Sequence, residues 1–389
     1  MKLDAVLPGI SAIQEDMIAL RRRIHAHPEL GFQEQATSDL VAGCLAEWGY
    51  RVTRGLGQTG VVGTMTTGVG RSLGLRADMD ALPIHEATGL SHASRVDGVM
   101  HACGHDGHTA MLLAAARHLA GNRAFEGTLN VIFQPAEEGL GGARAMLDDG
   151  LFEQFPCDAV FAMHNVPGYP AGHLGFVSGP CMASADEVTI RVTGRGGHGA
   201  APHHAVDPVV VCSSIVMALQ SVVARNVDPF AQAVVSVGAI HAGTVSNVIP
   251  ASAEMRMSVR ALDPAVRDML EQRIEALAHG QAASYGAQAD VHYVRCHPVL
   301  VNHAAETRFA RQVAEEWLGC DGLIDDLGPC MASEDFAFML QARPGCYFSI
   351  GNGVGEHGCA LHNPKYDFND DCLAIGASYW VKLAEKFLQ

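Results

Sequence analysis

Thiol, imidazole and carboxylate side chains stand just after apolar segments at several places in this chain. Together these three ligand types suit zinc or a similar first-row metal ion. Adjacent carboxylates also allow one group to bind a metal while its neighbour accepts a proton from water. The residues fall into five groups: Asp78 with Asp80, Cys103 with His105, Glu137 with Glu138, His164, and His362.

Buried strands are predicted in front of most of these groups. Runs of about six apolar residues are typical of strands in a parallel sheet that is covered on both faces. Ligands and catalytic groups of open α/β sheets gather at the carboxyl ends of such strands. We therefore expect one fold to bring the five groups together. The apolar runs are 72–77, 128–133, 159–163 and 346–350.

Each group taken alone also has an ordinary explanation. The chain contains 20 histidines, so the cluster at 100–108 could arise by chance. His164 and His362, taken singly, would more often be buried histidines with satisfied hydrogen bonds, and Glu137 with Glu138 could lie in a solvated loop. Two adjacent acids after a buried strand are costly, however, unless their charge is used. The common position of all five groups favours a metal site.

Two local features predict the ionisation of one candidate ligand and the orientation of another. A helix that begins at about Gly107 would place its positive end near Cys103 and favour a thiolate there. Asp78 and Asp80 are two apart on an extended segment, so their side chains point to the same side. One or both are expected to orient a metal-binding histidine by a hydrogen bond.

The order of predicted elements indicates two domains. Apolar runs alternate with helical segments up to about residue 182 and return after 294, as in βαβ units. Between them, 183–293 has half-exposed alternating strands and two helices, the first with Asp207 as its expected N-cap. We predict an α/β catalytic domain, 1–182 with 294–389, whose mostly parallel sheet is flanked by helices, and an inserted smaller α+β domain at 183–293.

Composition excludes several classes of partner. The 389 residues include 26 basic and 42 acidic ones, which gives a net charge of −16 and argues against nucleic acid and anionic membranes as partners. The segment 208–224 is judged too short and too mixed to span a bilayer. Arg21 to Arg23 are expected to be solvated. Eleven scattered cysteines and an N-terminus unlike a signal peptide favour free thiols and a cytoplasmic location.

Eight short motifs, taken in order, resemble those of the metal-dependent amidohydrolases of the aminoacylase and carboxypeptidase superfamily. The resemblance covers nearly the whole chain and is closest to the hippurate hydrolase and auxin-conjugate (IAA-amino acid) hydrolase branch. It implies a dinuclear metal hydrolase with a catalytic α/β domain and an inserted lid and dimerisation domain. The motifs are RADMDALP (76–83), MHACGHDGHTAML (100–112), FQPAEEG (133–139), AMHN (162–165), GRGGHGAAPH (194–203), NVIP (247–250), SEDFA (333–337) and LHNP (361–364).

The resemblance also implies roles for single residues of the catalytic domain. Glu137 matches the general base of the family, and Asp80 matches the aspartate that orients the metal centre. Asp78 stands where many relatives have a histidine ligand, and a cysteine ligand departs from the wider superfamily, so the metal and the number of ligands per metal stay open. The implied metal ligands are Cys103, His105, Glu138, His164 and His362.

Three residues of the insert resemble substrate-handling groups of the lid. His198 lies in a glycine-rich loop that lacks the GKS/T of a phosphate-binding loop. It resembles the lid histidine that reaches a partner subunit's site and stabilises the oxyanion. Asn247 and Arg260 resemble lid residues that bind polar substrate groups, and a guanidinium suits a carboxylate because it bonds bidentately.

The function that these features predict is hydrolysis of the amide bond of N-acyl amino acids, including hippurate-like substrates. The resemblance implies a metal-bound water as nucleophile and up to two divalent ions per subunit, zinc or manganese, with cobalt or nickel as further candidates. It also implies a homodimer or a dimer-based homo-oligomer. A dipeptidase or carboxypeptidase with the same centre remains open. A non-catalytic metal-binding relative is less favoured, because it would not need a base beside a ligand.

Overall fold

The computed structural model describes residues 5–389, except for the side chain of Glu356. Its strands, in chain order, are β1 (Arg51–Leu56), β2 (Gly60–Thr67), β3 (Ser72–Asp78), β4 (Gly127–Gln134), β5 (Ala159–Pro167), β6 (Leu174–Gly175), β7 (Gly179–Met182), β8 (Ala185–Thr193), β9 (Gly197–His198), β10 (Ala233–Ala242), β11 (Val248–Ile249), β12 (Ser252–Ala261), β13 (Gln288–His297), β14 (Leu300–Asn302), β15 (Leu323–Ile324) and β16 (Gly345–Gly353).

The α-helices are α1 (Pro8–Ser11), α2 (Gln14–Ala26), α3 (Gln35–Glu47), α4 (His105–Asn122), α5 (Gly142–Asp148), α6 (Leu151–Gln154), α7 (Pro208–Asn226), α8 (Pro264–Ser284), α9 (Ala304–Leu318), α10 (Phe336–Ala342) and α11 (Asp371–Phe387). Short 3-10 turns occupy Pro202–His204, Cys320–Gly322 and Gly355–Gly358. The sequence pattern predicts helices at 304–318 and at about 371–387, and α9 and α11 confirm both.

The chain forms two compact units. The first contains the described residues through Gly179 together with Val301–Gly328 and Asp335–Gln389, and the second contains Pro180–Leu300 with Pro329–Glu334. The second unit thus extends beyond the predicted insert at both ends. At its carboxyl end, β13 continues its pairing with β8 as far as His297. The lid and dimerisation roles of this unit stay predictions.

The first unit is built on an eight-stranded sheet in the order β1-β2-β4-β3-β5-β16-β6-β15. Its four central strands are mutually parallel, since β3 pairs in parallel with β4 and β5, and β5 with β16. The outer pairs β1/β2, β2/β4 and β6/β16 are antiparallel. The expected α/β class is therefore confirmed, with the parallel part confined to the centre. α4 is buried along most of its length and packs against β3, α2 and α11.

The second unit is a four-stranded antiparallel sheet, β10-β12-β8-β13, with α7 and α8 packed on one face. Asp207 and Asp263 cap these two helices, accepting hydrogen bonds from Val209 N and from Ala265 N respectively, and a proline follows each cap. Asp207 therefore has its predicted place. The small α+β architecture predicted for the insert is confirmed.

The sequence analysis predicted that the segment 208–224 is too short and too mixed to span a bilayer, and helix α7, which contains it, does not agree with that prediction. By length and composition alone it is the one helix among residues 5–389 that meets the requirements for crossing a membrane. A single such helix is weak evidence, because core helices meet the same requirements. In the structure, Val211, Ile215 and Leu219 of α7 are buried in the core of the second unit.

All eleven cysteines are free thiols, as expected. Six of them are buried, whereas Cys320 and Cys330 are exposed. The cytoplasmic location that this pattern favours stays a prediction.

The prediction that Arg21 is solvated is wrong. Arg22 and Arg23 are exposed, but Arg21 is fully buried. It falls on the face of α2 that also buries Met17 and Ile24, one helical turn away on either side. A guanidinium can occupy this apolar stripe only where carboxylates compensate its charge.

Three carboxylates surround the Arg21 guanidinium. Its Nη1 lies 3.2 Å from Oδ2 of Asp106 and 2.9 Å from Oδ1 of Asp367, and its Nη2 lies 2.7 Å from Oδ1 of Asp370. Burial alone would lower the pKa of Arg21, but these carboxylates outweigh it and raise the pKa. Arg21 thus connects α2 with the first turn of α4 and with the start of α11.

Replacing Arg21 with alanine should lower the free energy of unfolding of the first unit by about 3–5 kcal/mol, because three carboxylates would then face one another without their cation. Urea unfolding followed by tryptophan fluorescence measures the change. The exposed neighbour provides the control: Arg23→Ala should stay within about 0.5 kcal/mol of the parent protein. Equal unfolding midpoints for the two variants would contradict the structural role of Arg21.

Candidate metal centre

The four central strands deliver the predicted ligands to one edge of the sheet. Asp78 is the last residue of β3, and His105 is the first residue of α4, the helix that follows. Glu138 comes four residues after the end of β4. His164 lies inside β5 rather than after it, and His362 lies in the loop between β16 and α11. Because these strands are parallel, their carboxyl ends meet at the same edge.

Ligand atoms of the predicted residues lie within 4.8 Å of one another in overlapping groups. His105 and Glu138 each belong to more than one group, so all five predicted ligands are linked. The separate predictions from distant motifs are thus brought together in space. The groups that contain them are Cys103 with His105 and His164, Cys103 with Glu138 and His362, His105 with Glu137 and Glu138, and His105 with Asp78 and His108.

The closest contacts show which atoms face the centre. Cys103 Sγ lies 3.4 Å from His164 Nε2, and His164 Nδ1 lies 2.7 Å from the carbonyl oxygen of Asn165. A carbonyl only accepts, so Nδ1 carries the proton and Nε2 presents a lone pair to Cys103. His362 Nε2 lies 3.1 Å from Glu138 Oε1, and His105 Nε2 lies 4.0 Å from the same oxygen.

Two atoms of the cluster are placed where a cation could lie. His105 Nε2 and Glu138 Oε1 are buried, and neither has a well-aligned hydrogen bond within the described part of the chain, although His362 Nε2 lies 3.1 Å from that oxygen. Leaving a buried polar atom without a partner costs about 1–3 kcal/mol, and more for a charged group. A soft and borderline donor set of one thiol, three imidazoles and one carboxylate suits a first-row divalent metal. The residues present therefore fit a metal ion.

Asp80 contacts two of the predicted ligands. Its Oδ1 lies 3.2 Å from His105 Nδ1, and its Oδ2 accepts a hydrogen bond of 2.9 Å from the backbone N–H of Glu138. Since a carboxylate only accepts, His105 must carry its proton on Nδ1 and present Nε2 to the centre. This geometry is what the predicted orienting role of Asp80 requires, and the role itself stays a prediction.

Asp78 contacts His108, to which the sequence analysis gave no role. Asp78 Oδ1 lies 2.6 Å from His108 Nδ1, and Asp78 Oδ2 accepts a bond of 2.8 Å from Arg76 Nη1. Burial favours the protonated acid, but His105, Arg76 and His108 hold the pKa of Asp78 well below its usual range. The spacing of His105 and His108, one turn apart on α4, was the available signal that both face the site.

The prediction of a thiolate at Cys103 needs correction. α4 begins at His105 instead of Gly107, but the larger effects are burial and the nearby Glu138 carboxylate, which raise the pKa of the Cys103 thiol well above its usual range. His105 shows the opposite balance, because Asp78 outweighs its burial and raises its pKa. A bound metal ion would oppose the effects at Cys103 and favour release of the thiol proton.

Backbone strain is found beside the ligands. His362 has φ = 62° and Ala136 has φ = 52°, both in the left-handed region that favours glycine. Such positions cost about 1–2 kcal/mol each and persist where the surroundings enforce them. For His362, the backbone N–H donates to the carbonyl oxygen of Ala102, at 2.8 Å, which ties the ligand loop to the segment just before Cys103.

The predicted lid residues all lie in the second unit. His198 is in β9, where it pairs with Val248 of β11, and Gly199 N donates to Asn247 O at 2.8 Å. His198 and Asn247 are thus neighbours, and both are exposed. Arg260 lies apart from this pair on β12, where its Nη1 donates to the carbonyl oxygen of Met331 at 3.1 Å. Among the described residues, the hydrogen bonds of Arg260 do not involve His198 or Asn247.

Comparison with known proteins identifies the family. Residues 74–386 match peptidase family M20/M25/M40. The chain belongs to this family. It is 46% identical to the hippurate hydrolase of Campylobacter jejuni over 99% of this chain and 100% of that protein. It is also 38% identical to thermostable carboxypeptidase 2 of Saccharolobus solfataricus over 97% of each chain.

A solved structure of the same family shows the same fold. The YXEP protein of Bacillus subtilis, described as a dinuclear metal-binding peptidase of the M20 family, is 34% identical, covers 97% of this chain and 99% of its own, and superposes with a TM-score of 0.85. The resemblance inferred from the eight motifs is therefore confirmed. So is the prediction that this M20 protein is a hydrolase of the amidohydrolase type.

Proposed function

We propose that this M20 hydrolase cleaves the amide bond of N-acyl amino acids, with hippurate-like compounds as substrates. The observation that carries the proposal is the pair Glu137 and Glu138 in the turn that follows β4. Glu138 places a buried oxygen among the imidazoles of His105 and His362, whereas Glu137 is the adjacent, 7% exposed carboxylate of the same turn. With two adjacent carboxylates, Glu138 can bind a metal ion while Glu137 acts as the general base. The similarity to a hippurate hydrolase supports the substrate class.

The proposed cofactor is up to two divalent cations per subunit, zinc or manganese, with cobalt or nickel as further candidates. When bound, the cations polarise the substrate carbonyl and lower the pKa of a water molecule toward neutrality. Their ligands in this proposal are Cys103, His105, Glu138, His164 and His362.

The protein's own groups have distinct proposed tasks. Glu137 accepts the proton of the attacking water and returns it to the nitrogen of the leaving amino acid. Asp80 fixes the ring of His105 and the backbone of Glu138 through the two contacts described above. His198 is proposed to donate a hydrogen bond to the oxyanion; its Nδ1 accepts from Ala200 N at 3.0 Å, which leaves Nε2 as the donor.

Exchanging each glutamate for glutamine should separate the two roles. Glu137→Gln should retain the metal content of the parent protein and lose roughly 10²–10⁴-fold in kcat on N-benzoylglycine, as is typical for loss of a general base. Glu138→Gln should instead weaken metal binding, measured by competition with a chelator. The two variants are matched in size and position, so each is the control for the other. Reversed phenotypes would mean that ligand and base are assigned the wrong way round.

A carboxypeptidase or dipeptidase is the second candidate, because the chain also resembles a thermostable carboxypeptidase. Both reactions release an amino acid with a free α-carboxylate. The acyl side distinguishes them, since a peptidase needs an amino-acid residue there. Comparing kcat/KM for N-benzoylglycine with that for a dipeptide of glycine decides which activity dominates.

Arg260, with help from Asn247, is proposed to bind the substrate carboxylate. With its net charge of −16, the chain needs a local cation to hold an anionic substrate. Arg260→Lys keeps the charge but loses the bidentate fork, so kcat/KM should fall while the fold is retained. The parent enzyme should hydrolyse the amidated analogue of the substrate less efficiently than the acid, and this difference should be smaller in the variant. Equal efficiency of the parent enzyme on both compounds would exclude carboxylate recognition.

A homodimer through the second unit is the proposed assembly. α7 exposes Val209, Val210 and Met217, the last with 73% of its surface accessible. α7 packs against β10, which is an edge strand of its sheet and also exposes Val234 and Ile240. Exposed apolar groups beside an unpaired strand edge are typical of surfaces that pair with another chain.

A charge introduced into this surface should separate the subunits. We expect Met217→Arg to sediment as a monomer at micromolar concentration while the parent protein sediments as a dimer, because an arginine at the centre of an apolar contact is left without a partner. Tyr285→Arg, at the exposed end of α8, is the matched control and should stay dimeric. A dimeric Met217→Arg protein would place the interface elsewhere.

A further inference from the structure

A buried carboxylate outside the ligand cluster contacts the turn that carries Glu137 and Glu138. Glu34 lies directly before α3 and is fully buried. Its Oε1 accepts a hydrogen bond of 2.8 Å from the backbone N–H of Ala136, and its Oε2 accepts one of 2.6 Å from the hydroxyl of Thr59. Neither contact involves a predicted metal ligand.

The residue that Glu34 binds is strained. Ala136 has φ = 52° and is fully buried. This left-handed conformation is unfavourable for an L-residue other than glycine. Some interaction must therefore hold it, and a hydrogen bond donated to a carboxylate is strong enough to offset strain of this kind.

Packing and a backbone hydrogen bond also restrict the turn that contains Ala136. A Cβ added to Gly31 would come within 3.1 Å of the Ala136 Cα, so the loop before Glu34 packs directly on the turn. The carbonyl oxygen of Ala136 accepts a bond of 3.0 Å from Gly142 N at the start of α5. The Glu34 carboxylate is thus the only side chain that bonds the Ala136 N–H in the described residues.

Burying this acid is itself unfavourable. Burial raises the pKa of Glu34, the Thr59 hydroxyl opposes that change, and the charge of Asp80 adds to it. An apolar side chain would fill the same space without this cost. A charged acceptor at this place therefore indicates a task that an apolar residue does not perform.

We propose that Glu34 is a positioning residue for the reaction: by binding the N–H of Ala136 it keeps that residue left-handed and so directs the Glu137 carboxylate toward the centre. The inference rests on the proposed role of Glu137 as general base. Glu138 has a second support, since its own N–H is held by Asp80, so the effect of Glu34 should fall on the base rather than on metal binding.

Substitution of Glu34 should therefore separate turnover from binding. Glu34→Ala should lower kcat by up to about 100-fold, the effect of a displacement near 1 Å at the reacting group, with KM and metal content close to those of the parent enzyme. Glu34→Gln retains an acceptor oxygen for Ala136 N and should restore most of kcat. If Glu34→Ala does not fold, Glu34→Met fills the volume and removes the same acceptors.

A second substitution tests the strain directly. Glycine adopts positive φ without the penalty of a Cβ. Adding Ala136→Gly to Glu34→Ala should therefore raise kcat above that of Glu34→Ala alone, which a merely structural role of Glu34 would not produce. Glu29→Ala is the matched control on the same loop: its carboxylate accepts from Ala36 N and Thr37 N of α3, so its loss should lower stability and leave kcat unchanged.

Hydrogen exchange of the peptide containing Ala136 reports on the turn independently of activity, and it should be faster in Glu34→Ala than in the parent protein. Unchanged kcat in a folded Glu34→Ala enzyme, or a double variant as slow as the single one, would overturn the inference. An active Glu137→Gln enzyme would instead overturn the proposed base, whatever the Glu34 variants show.

Discussion

Charge compensation at the carboxyl edge of the parallel strands is the constraint on which the rest of this structure depends. Asp78, Asp80 and Glu137 are all buried at that edge. Several carboxylates in one place away from water repel one another and lose hydration, so cations must stand among them. The protein supplies part of the compensation through Arg76 and the imidazoles of α4. Nε2 of His105, which has no hydrogen-bond partner among residues 5–389, is where a metal ion would supply the remainder.

The same constraint extends outward to the helices. Asp106 follows His105 in the first turn of α4, and its pKa is held well below the usual range by His25 and Arg21 in spite of burial. His25 in turn has a pKa raised to about 9, because Asp106 and Glu86 outweigh the burial that would lower it. A salt-bridged layer thus lies behind the ligand layer. It fixes α4 against α2 before any metal is bound.

Most of the elements could be predicted from the sequence, and so could the composition of the site. Local patterns specify α9 and α11 at both ends, because an apolar stripe with period 3.6 and end signals act within a few residues. The position of ligand types after apolar runs predicted one centre, since parallel strands end at a common edge. The structure adds the contacts that hold two of the predicted ligands in place. Asp80 contacts the ring of His105, and the carbonyl oxygen of Ala102 accepts a hydrogen bond from the backbone N–H of His362.

Only the tertiary structure decided which polar groups are buried and what they meet. The sequence by itself determined which ligand types the candidate metal centre contains and the order of the elements that carry them. It misjudged Arg21, whose partners Asp106 and Asp370 are 85 and 349 residues away along the chain. It also could not show the surroundings of Cys103, where burial and the Glu138 carboxylate raise the pKa of the thiol and oppose the thiolate that a helix start favours. Propensity and periodicity act over one or two turns, whereas the electrostatics of a buried site depend on packing between distant segments.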